Sequence, residues 1–324
     1  MDLDDLRTRI VNGERRALAR AITLVESARE DHRAQAAALL EALPKDRQAL
    51  RIALSGTPGV GKSTFIESFG MMLTGMGKKV AVLAIDPSSA RTGGSILGDK
   101  TRMDRLSRDP NAFIRPSPSQ SHLGGVGRRT REAVALCEAF GFDVVLIETV
   151  GVGQSETVAA QLSDLFVLLL APAGGDELQG VKRGIMEMAD LILINKADGD
   201  LKQAATRTCA DYAGALRLLR KRPQDPDDFP QARMVSALSE TGLQEAWEAM
   251  ETLAHWRKTE GHWDHARAVQ SRYWLSEDVR AALLAPMEAA GGRDMLDDYG
   301  ARVANFEMTP SAAAEAVIAA IKAQ

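Results

Sequence analysis

Apolar residues recur at helical spacing through the first forty positions, where Leu3, Leu6 and Ile10 form one stripe and Leu18, Ile22 and Val25 another. The spacing predicts helix over residues 2–42, closed off by Pro44. The pattern then changes to short, near-continuous apolar runs alternating with helical stretches, as in a parallel sheet covered on both faces. The strand candidates are Arg51–Ser55, Lys79–Ile85, Asp143–Ile147, Leu165–Ala171, Leu191–Asn195 and Arg233–Ser236. Arg220–Pro230 reads as a charged, proline-punctuated loop. From about Thr241 the strand pattern stops and helical segments follow, one of them over Ala266–Ala289. The last begins at Thr309-Pro310, a capping residue with proline at the first helical position. The expected fold is α/β, a doubly wound, mostly parallel sheet with helical N-terminal and C-terminal extensions. The expected divisions are 1–44, 45–250 and 251–324.

Composition narrows the class. With 324 residues and 45% hydrophobic content the chain can bury a sizeable core. The balance of 40 basic and 44 acidic residues, net −4, predicts neither a nucleic-acid surface nor a membrane patch. The opening Met1-Asp-Leu-Asp-Asp is acidic, unlike a secretory leader or a transit peptide, so a cytoplasmic protein is expected. Cys137 and Cys209 are far apart and outside any metal-ligand spacing, and they read as free thiols.

The candidate chemistry begins at Gly56-Thr57-Pro58-Gly59-Val60-Gly61-Lys62-Ser63-Thr64. Its spacing, G-x-x-x-x-G-K-[ST] between a strand and a helix, is that of a phosphate-binding P-loop. Glycines let backbone N–H groups surround phosphate oxygens, and the helix adds its positive dipole end. Lys62 is expected to bridge β- and γ-phosphates, and the Ser63 hydroxyl to ligate Mg²⁺. Asn195-Lys196-Ala197-Asp198 ends a second strand, where open parallel sheets bind ligands. The spacing is that of the guanine-reading N-K-x-D motif. Asp198 can accept from guanine N1–H and the exocyclic amine, Lys196 can lie over the base, and Asn195 can tie this loop to the P-loop. Ser236-Ala237-Leu238 ends the next strand, where a backbone N–H can meet guanine O6. Together the motifs predict a P-loop NTPase that takes GTP rather than ATP.

The P-loop helix passes almost directly into strand Lys79–Ile85, without the antiparallel strand of Ras-like proteins, so the two flanking strands are expected to be parallel neighbours. That order is similar to the branch holding signal-recognition-particle GTPases, MinD-type ATPases and metal-insertion GTPases. Glu148-Thr-Val-Gly151 follows strand Asp143–Ile147 in the place of D-x-x-G. Glu148 is expected to hold Mg²⁺ directly or through water, and Gly151 to sense the γ-phosphate. Asp86 and Asp99 are further catalytic and metal candidates, although Asp99 also suits a turn. Gln154 sits two residues too late to match a water-positioning glutamine.

Three longer runs carry a closer likeness: Asp86-Pro-Ser-Ser, Thr92 to Met103, and Glu148 to Glu156. With Arg15–Glu26 and the carboxyl-terminal helices, they resemble the methylmalonyl-CoA mutase-associated GTPases (MeaB type, also called ArgK) over essentially the whole chain. The resemblance implies a G-protein chaperone that gates adenosylcobalamin loading of methylmalonyl-CoA mutase, or a related adenosylcobalamin-dependent mutase, and protects it from inactivation. It also implies a homodimer built by the carboxyl-terminal helices. The family's third switch loop corresponds to Gly175–Arg183, which makes Asp176, Gln179 and Lys182 coupling candidates. Read from the residues alone, that loop is a polar connection whose Lys182 starts a helix.

Two other classes stay open. A metal-insertion GTPase shares the nucleotide site, and stoichiometric nickel binding distinguishes it. A P-loop protein kinase needs an acceptor site, and phosphoprotein rather than free phosphate distinguishes it. His255, His262 and His265 lie near Trp256 and Trp263, where helix packing is expected rather than a metal store. Met71, Met72 and Met76 are expected to fill core, and Arg128-Arg129-x-Arg131 to form a solvated helix face.

Overall fold

The computed structural model describes residues 2–27, 29–85, 103–116, 123–149, 155–172 and 183–322. The chain forms two compact units, Met1–Ala268 and Val269–Gln324. The amino-terminal region is three helices rather than one: α1 (Leu3–Val11), α2 (Arg15–Glu26) and α3 (Glu30–Ala42). Asp2 starts α1 by accepting from the N–H groups of Asp4 and Asp5 at 3.0 and 3.2 Å. Asn12 and Ser27 leave helical conformation and divide the run.

The strands are β1 (Leu50–Ser55), β2 (Val80–Ile85), β3 (Ala112–Arg115), β4 (Val144–Thr149), β5 (Leu165–Leu170), β6 (Leu191–Ile194) and β7 (Gln231–Met234). They form one sheet in the order β3-β2-β4-β1-β5-β6-β7, and every pairing is parallel. Between them run α4 (Lys62–Gly75), α5 (Asp104–Arg108), α6 (Leu123–Phe140), α7 (Ser155–Ala160), α8 (Arg183–Met188) and α9 (Lys202–Arg217), followed by α10 (Leu243–Thr259) and α11 (His262–Glu288). The sheet is the doubly wound one expected, with two corrections. β1 and β2 are parallel but not neighbours, because β4 lies between them. All six β4 residues are buried, so this strand needs cover on both faces and both edges, which the sheet centre supplies. β3 is an edge strand that the apolar pattern did not reveal.

α4 turns its aromatic face into the core it shares with β1 and α10. Phe65 and Phe69 stack at 5.1 Å, and Phe69 meets Trp247 of α10 edge-on at 6.0 Å. Met71 and Met72 pack against this core as expected, whereas Met76 is exposed at the helix end. At the amino ends of the strands runs a belt of charge. Arg257 donates to Asp190 and Asp225, each at 2.6 Å, and to the Asp164 carbonyl at 2.6 Å. Arg267 donates to the Asp164 carboxylate and the Ala49 carbonyl, both at 2.7 Å, and Arg51 pairs with Glu138 at 2.7 Å. Trp263 is buried between Lys258 and Arg267, 4.4 and 4.6 Å from its ring. Helix packing is thus the role of Trp263, while Trp256 stays exposed. This belt anchors α10 and α11 beneath the sheet and leaves the carboxyl ends of the strands free for the loops.

The second unit holds the rest of α11, then α12 (Ala290–Ala304) and α13 (Pro310–Lys322). Thr309 caps α13 as its sequence predicts, its hydroxyl accepting from Ala312 N–H at 3.3 Å. Among the described residues no helix is long and apolar enough to cross a membrane.

Candidate nucleotide site

β1 delivers Ser55 to the sheet's carboxyl edge, and the chain turns through Gly56–Gly61 into α4. The turn tolerates no side chain at two of its glycines. A Cβ on Gly56 would collide with the Leu169 carbonyl of β5, and one on Gly61, at φ +88°, would lie 2.9 Å from Asn195 Nδ2. Val60 is buried beneath the turn while Pro58 and Gly59 are exposed. Lys62 Nζ donates to the Gly56 carbonyl at 2.6 Å. Burial pushes this ammonium below its ordinary value, against the opposing pull of Glu148 and then Glu156. Ser63 is half-buried and Thr64 exposed in the first turn of α4.

Glu148 is not in a loop after its strand, as the sequence suggested, but within β4, which continues through Thr149. It is buried, and Leu54 lies opposite it on β1. The adjacent Thr149 hydroxyl donates to Ser55 Oγ at 3.1 Å, joining β4 to the strand that feeds the P-loop. Glu156, quoted above only within a longer run, is also fully buried and contributes to the field at Lys62. No local sequence signal marked Glu156, which lies between Ser155 and Thr157, and the convergence of both glutamates on Lys62 required the fold. Asp86, Asp99, Gly151, Gln154, Asp176, Gln179 and Lys182 lie outside the described residues.

The base-side loop is built on β6. Asn195 is buried and its amide spans two loops, with Nδ2 donating to the Val60 carbonyl at 2.9 Å and Oδ1 accepting from Ala237 N–H at 3.0 Å. Lys196 adopts φ +58°, a left-handed conformation unusual for a non-glycine residue. It lays its stem toward the P-loop, where Nζ donates to the Gly59 carbonyl at 2.7 Å. The Ser236 hydroxyl donates to Asp198 Oδ2, which fixes that carboxylate, and Ser236 Oγ accepts from Ser239 N–H at 3.1 Å. Leu238 projects outward, strongly exposed. The fold thus brings Gly56–Thr64, Asn195–Asp198 and Ser236–Leu238 to one edge of the sheet, as their positions at strand ends predicted. Arg128, Arg129 and Arg131 depart from expectation, since all three are half-buried on α6. Arg129 lines a pocket with Leu83, Ala84 and Arg115, where burial lowers its pKa.

A phosphate loop and a base loop at the carboxyl edge of a doubly wound parallel sheet define a P-loop nucleotide hydrolase. Residues 18–291 match the family described as methylmalonyl Co-A mutase-associated GTPase MeaB. A putative GTPase of Caulobacter vibrioides is 51% identical, covering 99% of this chain and 98% of that protein. The mitochondrial methylmalonic aciduria type A homolog of Mus musculus is 46% identical over 99% of this chain and 80% of that protein. GTPase ArgK of Escherichia coli is 48% identical over 85% and 83%. The crystal structure of an LAO/AO transport system kinase matches at a TM-score of 0.74 and 37% identity, covering 99% of this chain and 97% of that one. The chain belongs to the methylmalonyl-CoA mutase-associated GTPase family, binds guanine nucleotide and hydrolyses GTP.

Proposed function

We propose that this GTPase is a chaperone of an adenosylcobalamin-dependent mutase, methylmalonyl-CoA mutase first among them, and that GTP state gates cofactor loading and protects the loaded enzyme. The observation that carries the nucleotide half of this reading is the Asn195 amide, which couples Val60 of the phosphate loop to Ala237 of the base loop. The family supports the mutase half.

In this reading Gly56–Thr64 cradle the phosphates, Asp198 reads guanine N1–H and its amine, and Lys196 covers the base. The donor set suits Mg²⁺, since a hydroxyl and a buried carboxylate, Ser63 and Glu148, are hard oxygen ligands. Asp86 and Asp99 are the further candidates, and the ion, once bound, neutralises charge on the phosphates. Lys62 supplies positive charge to the γ-phosphoryl oxygens as the bond to the leaving phosphate breaks. The sequence offers no evident arginine finger or water-positioning glutamine, so turnover without a partner is expected to be slow. The cytoplasm is the proposed compartment.

A partner that prefers one nucleotide-dependent arrangement must shift nucleotide binding reciprocally. Asp176, Gln179 and Lys182 are the proposed coupling residues, from the loop's likeness to the family's third switch. The test is phosphate release by the full chain with and without the source organism's own mutase. Binding and acceleration support the chaperone reading, and Lys182→Ala is expected to weaken acceleration while GTP affinity stays near wild type. Absence of both binding and acceleration, with loaded and empty mutase alike, rejects the chaperone and leaves the GTPase.

Homodimerisation is proposed through the carboxyl-terminal helices. Leu275, Val279 and Leu283 recur at four-residue spacing on α11 and are 65%, 51% and 72% exposed. Such an apolar stripe suits a two-fold, self-complementary interface.

A further inference from the structure

Hydroxyl residues inside helices commonly turn back on their own helix and donate to the carbonyl four residues earlier. Thr23, Thr206, Thr252 and Thr259 all do so here. Ser68, on the second turn of α4, does not. Its hydroxyl donates at 2.7 Å to the carbonyl of Ala237, 169 residues away in sequence, and both residues are buried.

The Ala237 carbonyl is therefore held by the phosphate-loop helix, while the Ala237 N–H donates to Asn195 Oδ1 at 3.0 Å. Ser236 is fixed on the other side, by Asp198 and by two backbone bonds to Thr241 at 2.9 and 3.1 Å. The loop expected to offer a backbone N–H to guanine O6 is thus clamped at consecutive residues, and one clamp comes from the helix that follows the P-loop. Removing that donor leaves a buried carbonyl without its partner and frees the loop to rotate, which costs about a tenfold change in a binding constant.

We infer that Ser68 is a positioning residue for recognition of guanine O6, setting nucleotide residence time by holding the Ala237 peptide. The inference rests on the base-site reading above. It is tested by comparing release of ribose-labelled GDP with release of the matching 6-thioguanosine diphosphate, which keeps N1–H and the exocyclic amine but has a weakly accepting sulfur in place of O6. Wild type is expected to hold GDP longer. Ser68→Ala should release GDP about tenfold faster, release the O6-lacking nucleotide less than about twofold faster, and keep kcat at saturating GTP within about twofold. Ser68→Thr, which keeps the donor, should restore the wild-type preference. Should Ser68→Ala not fold, Ser68→Cys, a weaker donor, carries the same comparison.

Equal acceleration for both nucleotides would show that Ser68 only stabilises the fold, and unchanged release would remove it from nucleotide binding, so either result overturns the inference. A wild-type protein with no preference for O6 overturns the base-site reading itself and the inference with it. That failure is seen in the wild-type arm alone.

Discussion

Arg257 and Asp190 meet 2.6 Å apart beneath the sheet, with side chains 10% and 5% exposed. Burial works against the guanidinium charge, but Asp190 and then Asp225 outweigh it and hold Arg257 above its ordinary value. Asp190 also accepts from the Phe166 N–H at 2.7 Å, so one carboxylate organises the amino ends of both β5 and β6.

Breaking this pair from one side is expected to be severe. Arg257→Ala leaves Asp190 and Asp225 with Arg222, 3.0 and 2.8 Å away, as their remaining paired arginine, and about 3 kcal/mol of stability should be lost, the low end for a broken buried pair. Urea unfolding followed by circular dichroism measures this as a lowered midpoint. A loss under about 1 kcal/mol would mean that solvation replaces the arginine and that the belt does not anchor α10.

Nucleotide choice is expected to follow Asp198. Asp198→Asn keeps an oxygen for Ser236 to donate to but turns an amide N–H toward guanine's own donors. The mismatch should cost on the order of 2–4 kcal/mol of GTP affinity. Xanthosine triphosphate, with oxygen in place of the exocyclic amine, should be accepted instead. Competition binding with both nucleotides decides the matter, and undiminished GTP affinity defeats the assignment.

The phosphate side is expected to separate into charge and metal effects. Lys62→Ala should lower turnover at least about 10²-fold by removing a cation from the developing charge. Glu148→Gln should chiefly raise the Mg²⁺ concentration needed for half-maximal rate. Phosphate-release assays titrated with Mg²⁺ distinguish them, and a wild-type titration curve for Glu148→Gln would remove Glu148 from metal binding.

Assembly is expected to depend on the second unit. Leu283→Glu puts a charge into the exposed stripe of α11 and should convert a dimer to a monomer at micromolar concentration without loss of helicity. Multi-angle light scattering reads the mass directly. A wild-type chain that is monomeric in both nucleotide states would count against the interface.

Local pattern carried much of the architecture into view. Near-continuous apolar runs marked β1, β4, β5 and β6 because strands buried on both faces can carry little else. The meeting of Gly56–Thr64 with Asn195–Asp198 at strand ends was legible because both motifs depend on spacing within a few residues of a strand. Ala112–Arg115 escaped notice because an edge strand is short, is covered on one side only and tolerates an arginine. Thr309 capping α13 was visible in advance, while the breaks between α1, α2 and α3 were not, since apolar periodicity runs on across them. What no stretch of sequence displayed were contacts between distant positions. Only the packing of α4 against β2 and α10 turned Ser68 toward Ala237. Only the closure of α10 and α11 beneath the sheet set Arg257 and Arg267 against Asp190, Asp225 and Asp164. Local spacing specifies which element forms and what its ends can bind. Hydrogen bonds and ion pairs form only between groups a few ångströms apart, and for residues separated by tens of positions that distance is created by the tertiary fold.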